Sequence, residues 1–214
     1  MAGRIDFDGL AGHYDWMEAV TAGSLLQRAR TVALPGLAGR RRVLSAGEGH
    51  GRFAAAFGAA FPSAALTCVD ASARMLARAR RRAERAGVEA TWIHARLPGW
   101  RPEPGRFDAI ATCFFLDCFP PEELDTIIGV LAEGATDTAA WLVVDFALPG
   151  RGLARWRARA MHAVMYAFFR KVTALPATHL TPPDRYLAAR GFRLHRRHTF
   201  SWGLLHADLW LRGA

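Results

Sequence analysis

The sequence predicts a single α/β domain on a mostly parallel sheet, and three observations predict it. From Arg42 onward, strand-length apolar runs alternate with helix-length amphipathic runs, the pattern of a parallel sheet covered by helices. A glycine-rich turn follows the first of those strands, and two successive strand patterns near the end read as an antiparallel hairpin. The chain has 214 residues, 51% of them hydrophobic, enough to bury one core without disulfides or metals. No repeat, low-complexity tract or linker divides it, so residues 1–214 read as one domain.

Residues 1–40 read as two helices ahead of a core at 41–214. Phe7, Leu10, Tyr14, Met17 and Val20 recur at helical spacing, Gly23 breaks the pattern, and Leu25, Leu26, Ala29 and Val32 resume it until Pro35 and Gly36. Strands are expected at 43–46, 66–69, 90–94, 107–113 and 140–146, with helices at 53–60, 72–86, 122–133 and 153–171. After Gly191 come strands 192–200 and 204–211, joined by a turn near Trp202 and Gly203.

Composition narrows the function classes. Cys68, Cys113 and Cys118 lie in apolar runs without paired spacing, so they read as reduced core thiols. The first residues lack the uninterrupted apolar core of a signal peptide, and no stretch is long and apolar enough to span a bilayer; the expectation is a cytoplasmic protein, monomeric or homodimeric. The net charge of +9 raises nucleic acid or an anionic membrane surface as a partner. Yet Lys171 is the only lysine, and so one-sided a basic set reads as compositional bias, leaving nucleic acid disfavoured. The histidines form no ligand-like cluster, so no metal is expected.

Chemistry concentrates in two places. Residues 43–51, Val-Leu-Ser-Ala-Gly-Glu-Gly-His-Gly, run from an apolar strand into glycines at 47, 49 and 51 and then a helix. Such a turn lets a ligand approach the backbone and the helix N-terminus. Asp70 ends the second strand, where an acid can accept both hydroxyls of a ribose; an aspartate there can equally cap the next helix, as can Ser72. The dinucleotide pattern G-x-G-x-x-G fails, because Arg52 stands at its sixth position, which favours a nucleoside ligand without a pyrophosphate.

The 43–51 segment resembles the first motif of class I S-adenosylmethionine-dependent methyltransferases, and residues 69–76 resemble their second-strand motif. Residues 7–15 and 105–110 are similar to the N-terminal segment and fourth strand of the small-molecule members. The resemblance implies a Rossmann-like three-layer α/β/α sandwich with a seven-stranded sheet, antiparallel in its last strand. It implies S-adenosylmethionine over the first strands, with residues 1–40 covering the site. Carried over by position, Gly47, Gly49 and Gly51 line the methionine and ribose part, Asp70 holds the ribose hydroxyls, and Ala71 and Met75 flank adenine; Tyr14, Glu48 and Cys113 are further cofactor-binding candidates. Two positions depart from the family. Ser45 stands where an acid is usual, leaving Glu48 or a water to bind the cofactor's ammonium. Arg96 stands where an aspartate meets adenine, leaving the backbone of Arg96 and Leu97 to do so.

On the acceptor side, Cys113 ends the fourth strand and leads into Phe114, Phe115, Leu116, Asp117, Cys118 and Phe119. Asp117 is a carboxylate in apolar company, and Asp145 ends the fifth strand; either can orient an acceptor or take its proton, and Asp117 can equally be a loop or capping residue. With Trp156 and Tyr166 these phenylalanines suggest a small, apolar or aromatic acceptor. The amphipathic stretch 151–171 reads as a cover for that pocket before it reads as a membrane-surface helix. The competing functions are an RNA methyltransferase using an arginine-rich surface, and a cofactor-binding module without transfer activity.

Overall fold

The computed structural model describes residues 23–149, 152, 155–158 and 180–213. The expected first helix with Tyr14, and most of the stretch 153–171 with Tyr166, lie outside these residues. The elements in order are α1 (Gly23–Val32), a 3-10 turn at Leu34–Leu37, β1 (Arg42–Ala46), α2 (Arg52–Ala60), β2 (Ala65–Asp70), α3 (Ala73–Arg85), β3 (Thr91–His94), β4 (Phe107–Cys113), a 3-10 turn at Leu116–Cys118, α4 (Pro121–Glu133), β5 (Ala135–Phe146), α5 (Asp184–Ala189), β6 (Phe192–Phe200) and β7 (Leu205–Arg212).

The strands form one seven-stranded sheet in the order β3-β2-β1-β4-β5-β7-β6. β1 to β5 pair in parallel, and β7 runs antiparallel to both β5 and β6. Strands buried on both faces need continuous apolar runs, and β1 shows why: Val43 packs with α1 and α2 through Ala29, Phe53 and Phe57, while Leu44 packs with α4 and α5 through Leu124, Ile128 and Leu187. The result is the expected three-layer Rossmann-like arrangement. Among the described residues no helix is long and apolar enough to cross a membrane.

Three expectations are corrected. β5 begins at Ala135 rather than Ala140, directly after the helix-ending Gly134, and its early residues Asp137 and Thr138 are exposed; polar residues facing solvent hid that part of the strand. Val32 rather than Pro35 ends α1, and Pro35 instead opens the short 3-10 turn. Trp156 is 76% exposed and so walls no pocket; its neighbour Arg157 stacks on exposed Trp202, 4.8 Å from the ring centroid.

Candidate active site

β1 and β2 end side by side, and their ends build the first half of the site. The N–H groups of Gly47 and Glu48 both donate to Val69 O, at 2.9 and 3.3 Å, folding the glycine loop back over β2. Gly47, Gly49 and Gly51 all have positive φ, +68°, +63° and +86°, a region that suits glycine. Their surroundings differ. A Cβ on Gly47 would meet the Phe115 ring, and one on Gly51 would lie 2.6 Å from Ala79 Cα on α3. A Cβ on Gly49 would meet none of the described residues within 4 Å. Gly51 therefore serves close helix packing, and Gly49 is the loop glycine of the three that no described residue crowds, so that a ligand can approach the backbone there.

Asp70 braces that opening. Its Oδ2 accepts the Gly49 N–H and its Oδ1 the Ser72 N–H, both at 2.8 Å. Ser72 is the cap of α3, its Oγ accepting from Met75 N at 3.1 Å, so Asp70 is not the capping residue. Burial pushes the Asp70 carboxyl up, against the hydrogen bonds of Ser72 and Gly49. An ionised carboxylate has about four acceptor positions, and with the backbone of Ala71 bonding it as well a position remains for a hydroxyl donor. Ala71 follows at the rim, its carbonyl 3.1 Å from His94 Nε2. Met75 and Leu97 are both buried. Arg96 O accepts from Trp100 N at 3.0 Å.

Glu48 turns under the loop. One oxygen accepts the Ser45 hydroxyl, and Oε1 accepts Ala54 N at 3.0 Å, satisfying an N–H in the first turn of α2 that Gly51, without a side chain, cannot reach. The carboxyl thus lies beside Ser45, where the strand itself carries none. Burial pushes it up to about 7, against its bonds to Ser45 and Ala54 and the positive charge of Arg30.

β4 and β5 build the second half. Phe114 N donates to Val144 O at 2.6 Å and Phe115 N to Asp145 Oδ1 at 3.1 Å, drawing the loop after Cys113 across the end of β5. The turn leaves Phe114 at φ +55°, a strained conformation for a bulky residue. It also sets the Phe115 ring on Gly47 and edge-on to Phe119, 5.0 Å between centroids. Asp117 and Asp145, separate candidates in the sequence, meet here: both carboxyls are buried and each shifts the other, and like charges so placed favour a proton on one of them. Burial raises both, Asp117 to about 6 and Asp145 well above the carboxylate range, where the Asp117 charge adds to the effect. The Cys118 thiol donates to Asp117 Oδ1 at 3.6 Å. The Cys113 thiol is pushed up by burial and stays protonated.

Three residues of this neighbourhood escaped the sequence reading. Arg30, on α1, is 4% exposed and its guanidinium lies 4.9 Å from the Phe114 ring centroid; an arginine on a short amphipathic helix reads as surface. His206 and Asp208 lie buried on β7. Their signal was present in Leu-His-Ala-Asp-Leu-Trp-Leu, two polar residues on one face of an apolar strand.

The sheet order is that of the Rossmann-like fold found in class I methyltransferases. Residues 43–134, from β1 through α4, match the family model described as a methyltransferase domain. The chain is similar to mitomycin 7-O-methyltransferase, at 16% identity and a TM-score of 0.71, over 97% of this chain and 61% of that one. It is similar to the 1,6-didemethyltoxoflavin-N1-methyltransferase of Burkholderia thailandensis, solved with 1,6-didemethyltoxoflavin and S-adenosylhomocysteine, at 18% identity and a TM-score of 0.68, over 96% and 85% of the two chains. A third similar structure is magnesium protoporphyrin IX methyltransferase from Synechocystis with bound SAH, at 20% identity and a TM-score of 0.61, over 99% and 90%. The chain spans about three fifths of the length of the first of these. No curated protein sequence matches it.

Proposed function

We propose that this chain is an S-adenosylmethionine-dependent methyltransferase acting on an oxygen or nitrogen of a small apolar or aromatic molecule. The observation that carries the reading is Asp70 gripping the Gly49 N–H while no described residue crowds Gly49: an acid with a spare acceptor position beside bare backbone suits a nucleoside. The bound cofactor supplies an electrophilic methyl on a sulfonium. Asp70 accepts the ribose hydroxyls, Ala71 and Met75 flank the adenine, with backbone groups of Arg96 and Leu97 at its edge, and Gly47, Gly49 and Cys113 border the methionine part. Glu48, returned to the side of Ser45, supplies the acid toward the ammonium.

On the other side, Phe114, Phe115 and Phe119 form an apolar wall. The ionised member of the Asp117–Asp145 pair orients the acceptor and takes the proton that its nucleophilic atom gives up as the new bond to carbon forms. Alignment supplies much of the acceleration in such a displacement. Structures with this fold that act on small molecules, such as the toxoflavin N-methyltransferase, support this acceptor class over RNA.

Ligand-dependent melting tests the reading. S-adenosylmethionine and S-adenosylhomocysteine are expected to raise Tm, by about 2.7 kcal/mol of stabilisation at a hundredfold excess over Kd, while NAD and NADP leave it unchanged. Equal stabilisation by NAD, or none by S-adenosylhomocysteine, overturns the proposal.

A further inference from the structure

The net charge of +9 is carried by one segment. Residues 147–207 hold eleven of the chain's 28 lysines and arginines but, of its 19 acids, only Asp184. That acid is already held by Arg197 of β6, which also grips the buried Asp208 of β7 through Nε at 2.8 Å and Nη2 at 2.6 Å. Compositional bias explains arginine in place of lysine, but not one stretch emptied of acids. Parts of this segment meet on the surface at the turn between β6 and β7. Trp156 and Trp202 are the most exposed large apolar residues among those described, at 76% and 77%. Arg157 joins them: it follows Trp156, its guanidinium stacks on the Trp202 ring, and its Nη2 donates to Ser201 O at 2.6 Å and Oγ at 3.0 Å. The turn that holds Trp202 runs through three left-handed residues, with φ +49° at Ser201, +58° at Trp202 and +81° at Gly203. Such backbone suits glycine and is strained for a bulky residue, and here the strain sets an indole in water instead of a core. β6, the edge strand leading into the turn, exposes Leu194, His195 and Arg196. Single exposed apolar residues are ordinary on a surface, whereas clustered ones mark an interaction face.

That face lies at the acceptor end of the sheet. Leu205, just past the turn, pairs with Phe146 at the end of β5, and the Phe146 ring packs on Phe114 with 5.5 Å between centroids. We propose that this face docks on an anionic lipid bilayer, with Trp156 and Trp202 inserting at headgroup depth and the arginines around them meeting lipid phosphates. An indole suits that depth, with an apolar body and one N–H donor, and basic residues are drawn to anionic headgroups. RNA offers the same negative charge, but base stacking needs open ring faces, and Arg157 covers one face of Trp202, while Leu194 gives a base nothing to stack on. An apolar acceptor also concentrates in a bilayer, a point that rests on the proposed methyltransferase reading.

Vesicle sedimentation tests the proposal without turnover. The full chain is expected to pellet with vesicles of phosphatidylcholine and phosphatidylglycerol in equal parts, but not with phosphatidylcholine alone, and added salt should loosen it. The double variant Trp156→Gln, Trp202→Asn places at 202 a residue that tolerates left-handed backbone. It is expected to keep the wild-type Tm and to partition at least about tenfold more weakly, given the apolar area that two indoles bury. Arg196→Gln, which removes one charge near the surface, should weaken partitioning about fivefold. Wild type left in the supernatant with the anionic vesicles, or a folded double variant that partitions as wild type does, overturns the proposal. Affinity for an RNA oligonucleotide that the double variant loses, with none for the vesicles, reassigns the face to RNA. Should the double variant not fold, quenching of wild-type tryptophan fluorescence by brominated lipid decides, and its absence overturns the proposal. The two proposals fail separately: wild type that ignores S-adenosylhomocysteine refutes the methyltransferase reading, whereas protein that binds it and ignores the anionic vesicles refutes the docking face alone.

Discussion

Replacing Glu48 with glutamine should make the protein more stable at neutral and alkaline pH, although it removes a residue with two hydrogen bonds. Glutamine keeps the geometry: its carbonyl can accept the Ala54 N–H, and its amide can donate to Ser45, whose hydroxyl accepts as readily as it donates. What disappears is a buried ionisable group. Burial raises Glu48 from 4.5 to about 7. A folded value above the unfolded one means that the contribution to stability is complete below pH 4.5 and is lost as pH climbs through about 7. At 1.36 kcal/mol per unit, the whole span corresponds to roughly 3 kcal/mol. At pH 5 the unfolded chain is already largely ionised, so part of that loss has occurred before the measurement begins. Urea unfolding of both proteins from pH 5 to 8 is therefore expected to show Glu48→Gln gaining about 2–3 kcal/mol on wild type, while every other titrating group cancels in the difference. Parallel curves would mean that Glu48 is ionised in the folded state at all these pH values, held so by Arg30 beyond what its burial opposes, and the argument would fail.

Asp70→Ala removes the acceptor for the Gly49 and Ser72 N–H groups as well as for the ribose. Hydrogen bonds to a charged group are worth about 1.5–3 kcal/mol each, so calorimetry should find S-adenosylhomocysteine bound at least about tenfold more weakly; an unchanged Kd would remove Asp70 from the site. The glycines should separate by position. Gly49→Ala meets only the cost of left-handed backbone, about 1–2 kcal/mol, and should lose ligand affinity. Gly51→Ala adds a collision with the α3 backbone and should cost about 1–3 kcal/mol more. Equal unfolding free energies for the two variants would show that the loop rearranges freely.

Most of the sheet was readable because β1, β2 and β4 are apolar on both faces, and the glycines and Asp70 fall at strand ends that periodicity locates. What stayed hidden depended on register. Asp117 and Asp145 read as separate candidates, since only the β4–β5 pairing and the fold-back at Phe114 bring them into contact. The grip of Arg197 on Asp208 needs the β6–β7 hairpin, and until that register is known a charge in each strand says nothing about the other. The opening of β5 was missed because Asp137 and Thr138 face solvent and interrupt the apolar run. Trp156 misled in the opposite sense: a large aromatic reads as interior, and here it lies on the surface.

The place of β7 between β5 and β6 has a consequence for assembly. β6 precedes β7 in the chain, yet it reaches the sheet only through its successor. Either the hairpin closes first, a local event, and docks as a unit along β5, or β7 docks alone and β6 follows it. Until β7 docks, β5 presents a bare row of peptide groups, the kind of edge that recruits other chains, with Asp145 still in contact with water. Conditions that slow docking, such as low temperature or a weakened β6–β7 turn at Ser201–Gly203, should then favour self-association during refolding over simple unfolding. A chain arrested before β7 docks would have its glycine loop in place while Asp145, at the end of β5, still met water.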